Sequence, residues 1–128
     1  MAAARAMIGA PFRLHGRSAI TGVDCVGLVM LALEQAGNIR ARGAVPHGYR
    51  LRGGAMAVPE AGLRRAGLSP VGQDQPGDVA LVEAGVAQFH LMIVTDAGHV
   101  HAHAGLGYVV EMPGPSPWPV ISRWRDRG

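Results

Sequence analysis

The sequence predicts an α+β fold, with helices first and a small antiparallel sheet after them. Three observations predict it. Apolar residues recur at helical spacing between Cys25 and Gly37. From residue 79 onward the period changes to short β-type runs separated by Gly or Asp. No internal repeat or low-complexity tract breaks this order. A chain of 128 residues with 48% hydrophobic content suits one domain, 1–128, built on one core.

The elements can be justified in order. Residues 2–9 read as a short helix ended by Gly9 and Pro11. "FRLHGRSAITGV" is punctuated by Gly and reads as a loop. Asp24 can cap a helix that begins at Cys25, because its carboxylate accepts unpaired backbone N–H groups. Leu28, Val29, Leu31, Ala32 and Gln35 follow helical spacing, and Gly37 is a natural stop. Residues 38–53 read as an irregular connection, and 54–67 as a second helix in spite of Pro59. "SPVGQDQPGD" reads as a cluster of turns. "VALVEAG", "AQFHLMIVT", "HVHAHAG" and "GYVVEM" read as strands, and "PVISRW" as the last one. Trp118 and Trp124 read as core residues in a chain so poor in aromatics.

Composition excludes several classes. No apolar run approaches the roughly 18 residues that span a bilayer. The start, "MAAARAMIGAPF", has no long apolar region, which predicts synthesis in the cytoplasm without a signal peptide. The net charge is +3 and all twelve basic residues are Arg. They are scattered, and aromatics are 5%, which argues against a nucleic-acid partner. One cysteine excludes an internal disulfide.

That cysteine is either a core thiol or a reactive one. At a helix N-terminus the dipole and unpaired N–H groups favour a thiolate and can donate to an oxyanion. Four of the six histidines lie within 90–103. With a turn centred on Asp96–Ala97, Val94 faces His99, Met92 faces His101, and His90 faces His103. All four histidines then share one sheet face, while Leu91, Ile93, Val100, Ala102 and Ala104 take the other, core-facing one. His101 becomes the diagonal neighbour of His90. Three readings follow: a Cys–His pair with a second His as orienter, a zinc site, or a polar face of solvated histidines.

"GAPFRLHGRSAITGVDCVGLVMLALEQAG" resembles the nucleophile segment of the NlpC family of cell-wall cysteine peptidases. "QPGDVALVE", "FHLMIV" and "GHVHAHAG" resemble that family's Pro-Gly-Asp strand and its two His strands, in the same order. "GVDCVGLV", "HGYRLRGG" and "PWPVISRWR" resemble the peptidases carried in the tails of phages and gene transfer agents. The resemblance implies a papain-like α+β fold, with the cysteine at a helix N-terminus packed on a small antiparallel sheet. It implies hydrolysis of peptidoglycan stem peptides, between D-glutamate and a diamino acid, with no metal and no organic cofactor. Cys25 would be the nucleophile, His90 the general base and His101 the residue that orients His90, with a thiolate–imidazolium pair poised in the free enzyme. His103 is the rival third member. The implied partners are tail or baseplate proteins, and the implied site of action is the periplasm or cell wall, reached from a virion or gene-transfer-agent tail. An acyltransferase or a catalytically idle wall-binding tail domain would use the same scaffold.

The sequence departs from the family at three points. Phe12 stands where the family has a tyrosine credited with helping the oxyanion, which removes a hydroxyl donor. The His90–His101 interval is one residue short, which a tight turn absorbs. "LHG" replaces a Gly-Gly pair, so His15 reads as an exposed loop histidine, with a place near the cleft as the alternative. Asp24 is expected to cap the helix, with contact to a substrate amine as the alternative.

Overall fold

A computed structural model describes residues 1–45, 49–50 and 57–127. The segment "HGYRLRGG" and the expected start of the second helix at residue 54 lie largely outside the described residues.

Helix α1 spans Ala2–Arg5 and α2 spans Cys25–Gln35. Strands β1 (Arg17–Ser18) and β2 (Gly22–Val23) form a two-stranded ribbon before α2. Helix α3 spans Ala57–Arg65. Six strands follow: β3 (Leu68–Val71), β4 (Val79–Gly85), β5 (Gln88–Val94), β6 (Gly98–His103), β7 (Tyr108–Pro113) and β8 (Val120–Asp126). They make one antiparallel sheet in the order β3-β8-β4-β5-β6-β7, so the last strand inserts between β3 and β4. The α+β class read from the sequence is the observed one.

Helix α2 is held at both ends by its sequence. Asp24 accepts from the Gly27 N–H at 2.8 Å. At the other end Gly37, at φ +98°, donates to Glu34 O, and Asn38 donates to Leu33 O at 2.8 Å. This is a Schellman closure, which uses glycine because the left-handed conformation has little cost there. Between the caps, Val26, Leu28, Val29, Met30, Ala32 and Leu33 are buried, so the helix is enclosed on more than one face. It packs on β5 and β6, where Leu91, Ile93, Val100 and Ala102 complete the main core.

Several local expectations need correction. The α-helix expected over 2–9 ends at Arg5, after which i→i+3 bonds from Met7 and Ile8 tighten the chain toward Gly9. The segment read as a loop contains the β1–β2 ribbon. The turn cluster begins with a strand, β3, which pairs only with β8. Pro70 is accommodated because β3 is an edge strand, where a missing N–H has no ladder partner to lose. Pro59 sits in the first turn of α3, where its lack of an N–H is harmless.

Asp78 explains the "PGD" stretch. Its carboxylate is buried, accepts from Gln75 N–H, and takes two bonds of 2.9 Å from Arg125 on β8. Among the described residues, no helix is long and apolar enough to cross a membrane.

Candidate active site

Cys25 is the first residue of α2 and is 1% exposed. It lies at the bottom of a cleft of about 200 Å³ whose walls include Phe12, His90, His101, His103 and Trp118. Backbone N–H groups of Leu91, Val26 and Cys25 itself point at its sulfur and favour a thiolate. The contact with Leu91 sets the start of α2 against β5, next to His90.

The hairpin of β5 and β6 has Ile93 opposite Val100 and Val94 opposite His99. Thr95 locks the turn: its N–H donates to Gly98 O, and its hydroxyl accepts from Gly98 N–H. Beyond this short ladder His90 Nε2 and His101 Nδ1 are 2.9 Å apart. His101 is buried, and His90 keeps an edge open to the cleft. His103 also lines the cleft, but its Nδ1 accepts from the Leu106 N–H within its own turn. Its ring centroid is 5.5 Å from that of His101.

The face that carries the histidines is not the solvated polar surface that the sequence allows. Ala80, Val82, Met92 and Val94 form a second apolar cluster there, covered by Met112, Trp118 and Val120. Trp124 is a core residue, as its type suggests. Trp118 is not: it stands half-exposed and edge-on to both His90 and His101, with centroids at 5.6 and 5.8 Å. Sequence reasoning missed this cover because "PSPWPV" shows no periodicity. Among the described residues, no three His, Cys, Asp or Glu side chains converge in a way that would hold a metal ion.

Burial dominates the electrostatics of the separate groups here. Burial pushes the Cys25 thiol up to about 12, and the Asp24 carboxylate adds to the effect. Burial pulls His90 down to about 3, helped by the neighbouring His101 and His103. His101 falls to about 4, again through burial first. A lone thiolate or a lone imidazolium is therefore disfavoured. A proton passed directly from sulfur to imidazole creates both charges together, and their attraction offsets part of the desolvation.

The other sequence-selected residues separate by location. Phe12 forms an isolated bridge to Val23 and lines the cleft, offering no hydroxyl. Asp24 has no exposed surface, and both its oxygens are occupied, so it caps α2 and cannot meet a substrate amine in this conformation. His15 does not line the cleft. It adopts φ +61°, donates its N–H to Asp24 at 2.9 Å, and sets its ring edge-on to Tyr49. Tyr49 was not singled out by sequence reasoning. It lies in the irregular connection, where no pattern pairs it with a residue 25 positions away, yet its hydroxyl donates to Asp24.

No described protein family and no curated protein matches this sequence. Solved structures do: the fold is that of the NlpC/p60 class, papain-like, with the cysteine at the start of a helix against an antiparallel sheet. One of them is the crystal structure of the NlpC/p60 domain of the peptidoglycan hydrolase SagA. That chain is 22% identical, with a TM-score of 0.55 over 88% of this chain and 84% of the other.

Proposed function

We propose that this chain is a cysteine peptidase that hydrolyses amide bonds in peptidoglycan stem peptides, with the bond between D-glutamate and a diamino acid as its target. One observation supports the reading above the others. Cys25 opens α2 in the same cleft as His90, and His90 is hydrogen-bonded to His101. The neighbouring fold is that of a peptidoglycan hydrolase, which supports the substrate class.

The chemistry runs through an acyl-enzyme. The Cys25 sulfur attacks the amide carbon while its proton moves to His90, and the helix N-terminus faces the oxyanion that develops. His90 then returns the proton to the leaving amine, and water cleaves the thioester with His90 as base. Nε2 of His90 is engaged by His101, so Nδ1 is the nitrogen left to take the proton. In that tautomer His90 donates to His101 Nδ1, and His101 carries its own proton on Nε2. Trp118 shields the pair from bulk water, which strengthens the bond between the rings.

The tail setting, with tail or baseplate proteins as partners, is carried by the wording of the sequence motifs. Mass spectrometry of purified tail particles should find the chain, and its absence would remove this part of the reading. The second reading is a catalytically idle wall-binding module, favoured by the burial that keeps the thiol protonated. Digestion of purified peptidoglycan decides between them. Wild type should release new muropeptides and Cys25→Ala should not; identical product profiles would sink the peptidase reading.

A further inference from the structure

A helix cap needs one carboxylate oxygen. Asp24 uses Oδ1 for that purpose, on the Gly27 N–H. Its Oδ2 is held by two other parts of the chain: the His15 N–H at 2.9 Å and the Tyr49 hydroxyl. Tyr49 is itself anchored. Its carbonyl lies 2.8 Å from His15 Nε2, the two rings meet edge-on at 4.5 Å, and the Arg17 guanidinium lies 5.8 Å from the centre of the phenol ring. The residue next to the centre of this buried network is Cys25.

A buried carboxylate beside a thiol opposes the thiolate, because like charges repel strongly where the dielectric is low. A hydroxyl that donates to the carboxylate spreads that charge. We propose that Tyr49 is a positioning residue for Cys25: its hydroxyl pins Asp24 in the helix cap and draws the carboxylate's charge away from the thiol. The residue that secures the helix is thereby kept from silencing the sulfur at its tip. Among the described residues, the titratable groups around Cys25 are Asp24 from its own turn, Tyr49 from the connection after α2, His90 from β5, and His101 and His103 from β6, which line the same cleft. Tyr49 stays a donor throughout, since burial and Asp24 hold its phenol above the usual range. The consequence for catalysis rests on Cys25 being the nucleophile, but the effect on the thiol does not.

Alkylation of the chain's one cysteine by iodoacetamide tests this, in the intact protein, across neutral to mildly alkaline pH. Below its pKa a thiol reacts in proportion to its thiolate fraction. Tyr49→Phe keeps the ring and removes the hydroxyl. It should slow alkylation about tenfold, equal to a rise of roughly one unit in the thiol pKa. A tyrosine that only packed would act in the other direction, because loosening the network uncovers a buried sulfur. Unchanged or faster alkylation would overturn the proposal.

The second arm is Asp24→Asn, which removes the charge to be screened. In that background Tyr49→Phe should change the rate by less than about twofold; a persistent tenfold slowing would overturn the proposal. If Asp24→Asn does not fold, the direction seen in Tyr49→Phe alone decides. In peptidoglycan digestion Tyr49→Phe should lower kcat with KM unchanged. Undiminished digestion by Cys25→Ala would remove the peptidase reading while leaving the alkylation result standing, so the two failures are distinct.

Discussion

Replacing Gly27 by alanine should destabilise the protein, although glycine to alanine within a helix ordinarily stabilises by about 1 kcal/mol. The reason is the loop that crosses the first turn of α2. A Cβ on Gly27 would lie 2.0 Å from the Gly16 carbonyl oxygen and 3.1 Å from its carbon. The loop cannot back away freely. Gly16 is wedged against the ribbon, where its own added Cβ would meet Gly22 O at 2.2 Å, and it donates to Arg13 O at 2.8 Å. Retreat of the loop would also pull the His15 N–H from Asp24, a hydrogen bond to a buried carboxylate worth about 1.5–3 kcal/mol. Overpacking adds about 1–3 kcal/mol. After the helical gain is subtracted, the net loss is about 1.5–5 kcal/mol. Urea unfolding followed by the fluorescence of the two tryptophans would show it as a lower midpoint with an unchanged slope. A Gly27→Ala protein as stable as wild type, or more so, would refute the steric argument and the tight seating of the loop on the first turn of α2.

The remaining predictions concern the histidines. His101→Ala should reduce kcat on peptidoglycan by about 100-fold, because His90 loses its tautomer partner, whereas His103→Ala should cost less than about fivefold. The reverse ranking would make His103 the orienting residue. Folding stability should also fall with acid. His90 and His101 have folded pKa values of about 3 and about 4, below their ordinary 6.5. Their neutral forms therefore contribute stability that is complete above pH 6.5 and is lost as pH falls toward about 4 for His101 and about 3 for His90, because the unfolded chain takes up protons first. For His101 the loss is on the order of 3 kcal/mol, and His101→Gln should flatten that limb of a stability–pH curve. A curve whose slope is the same in wild type and variant would contradict the burial assignment. Glu111, held below its ordinary range by Arg5 and Thr95, acts in the same direction at lower pH.

The legible parts of the site were those written in local chemistry. Asp24 followed by an apolar helical run marks a capped helix starting at Cys25, and both the cap and the start are where that pattern puts them. The turn at Asp96–Ala97 specified the hairpin register, because a one-residue slip would send Leu91, Ile93 and Val100 to the wrong face. What stayed illegible depended on groups distant in the chain. Trp118 covers the imidazoles from a segment without periodicity, and Tyr49 reaches Asp24 from an irregular connection. The protonation of the site was illegible too: helix position argued for an acidic thiol, and burial overrode it.

By itself, then, the sequence determined the α+β order of elements, the capped helix with a cysteine at its tip, and the placement of His90, His101 and His103 on neighbouring strands. These follow from periodicity, capping and turn chemistry, which act over a few residues. Tertiary structure alone decided that His101 and not His103 bonds to His90, that Asp24 is sealed by Tyr49 and His15, and that burial works against a lone thiolate at Cys25 and a lone imidazolium at His90. Those outcomes depend on how much water remains around each group and on which distant side chain takes its place, and both are set only when α2 docks on the sheet.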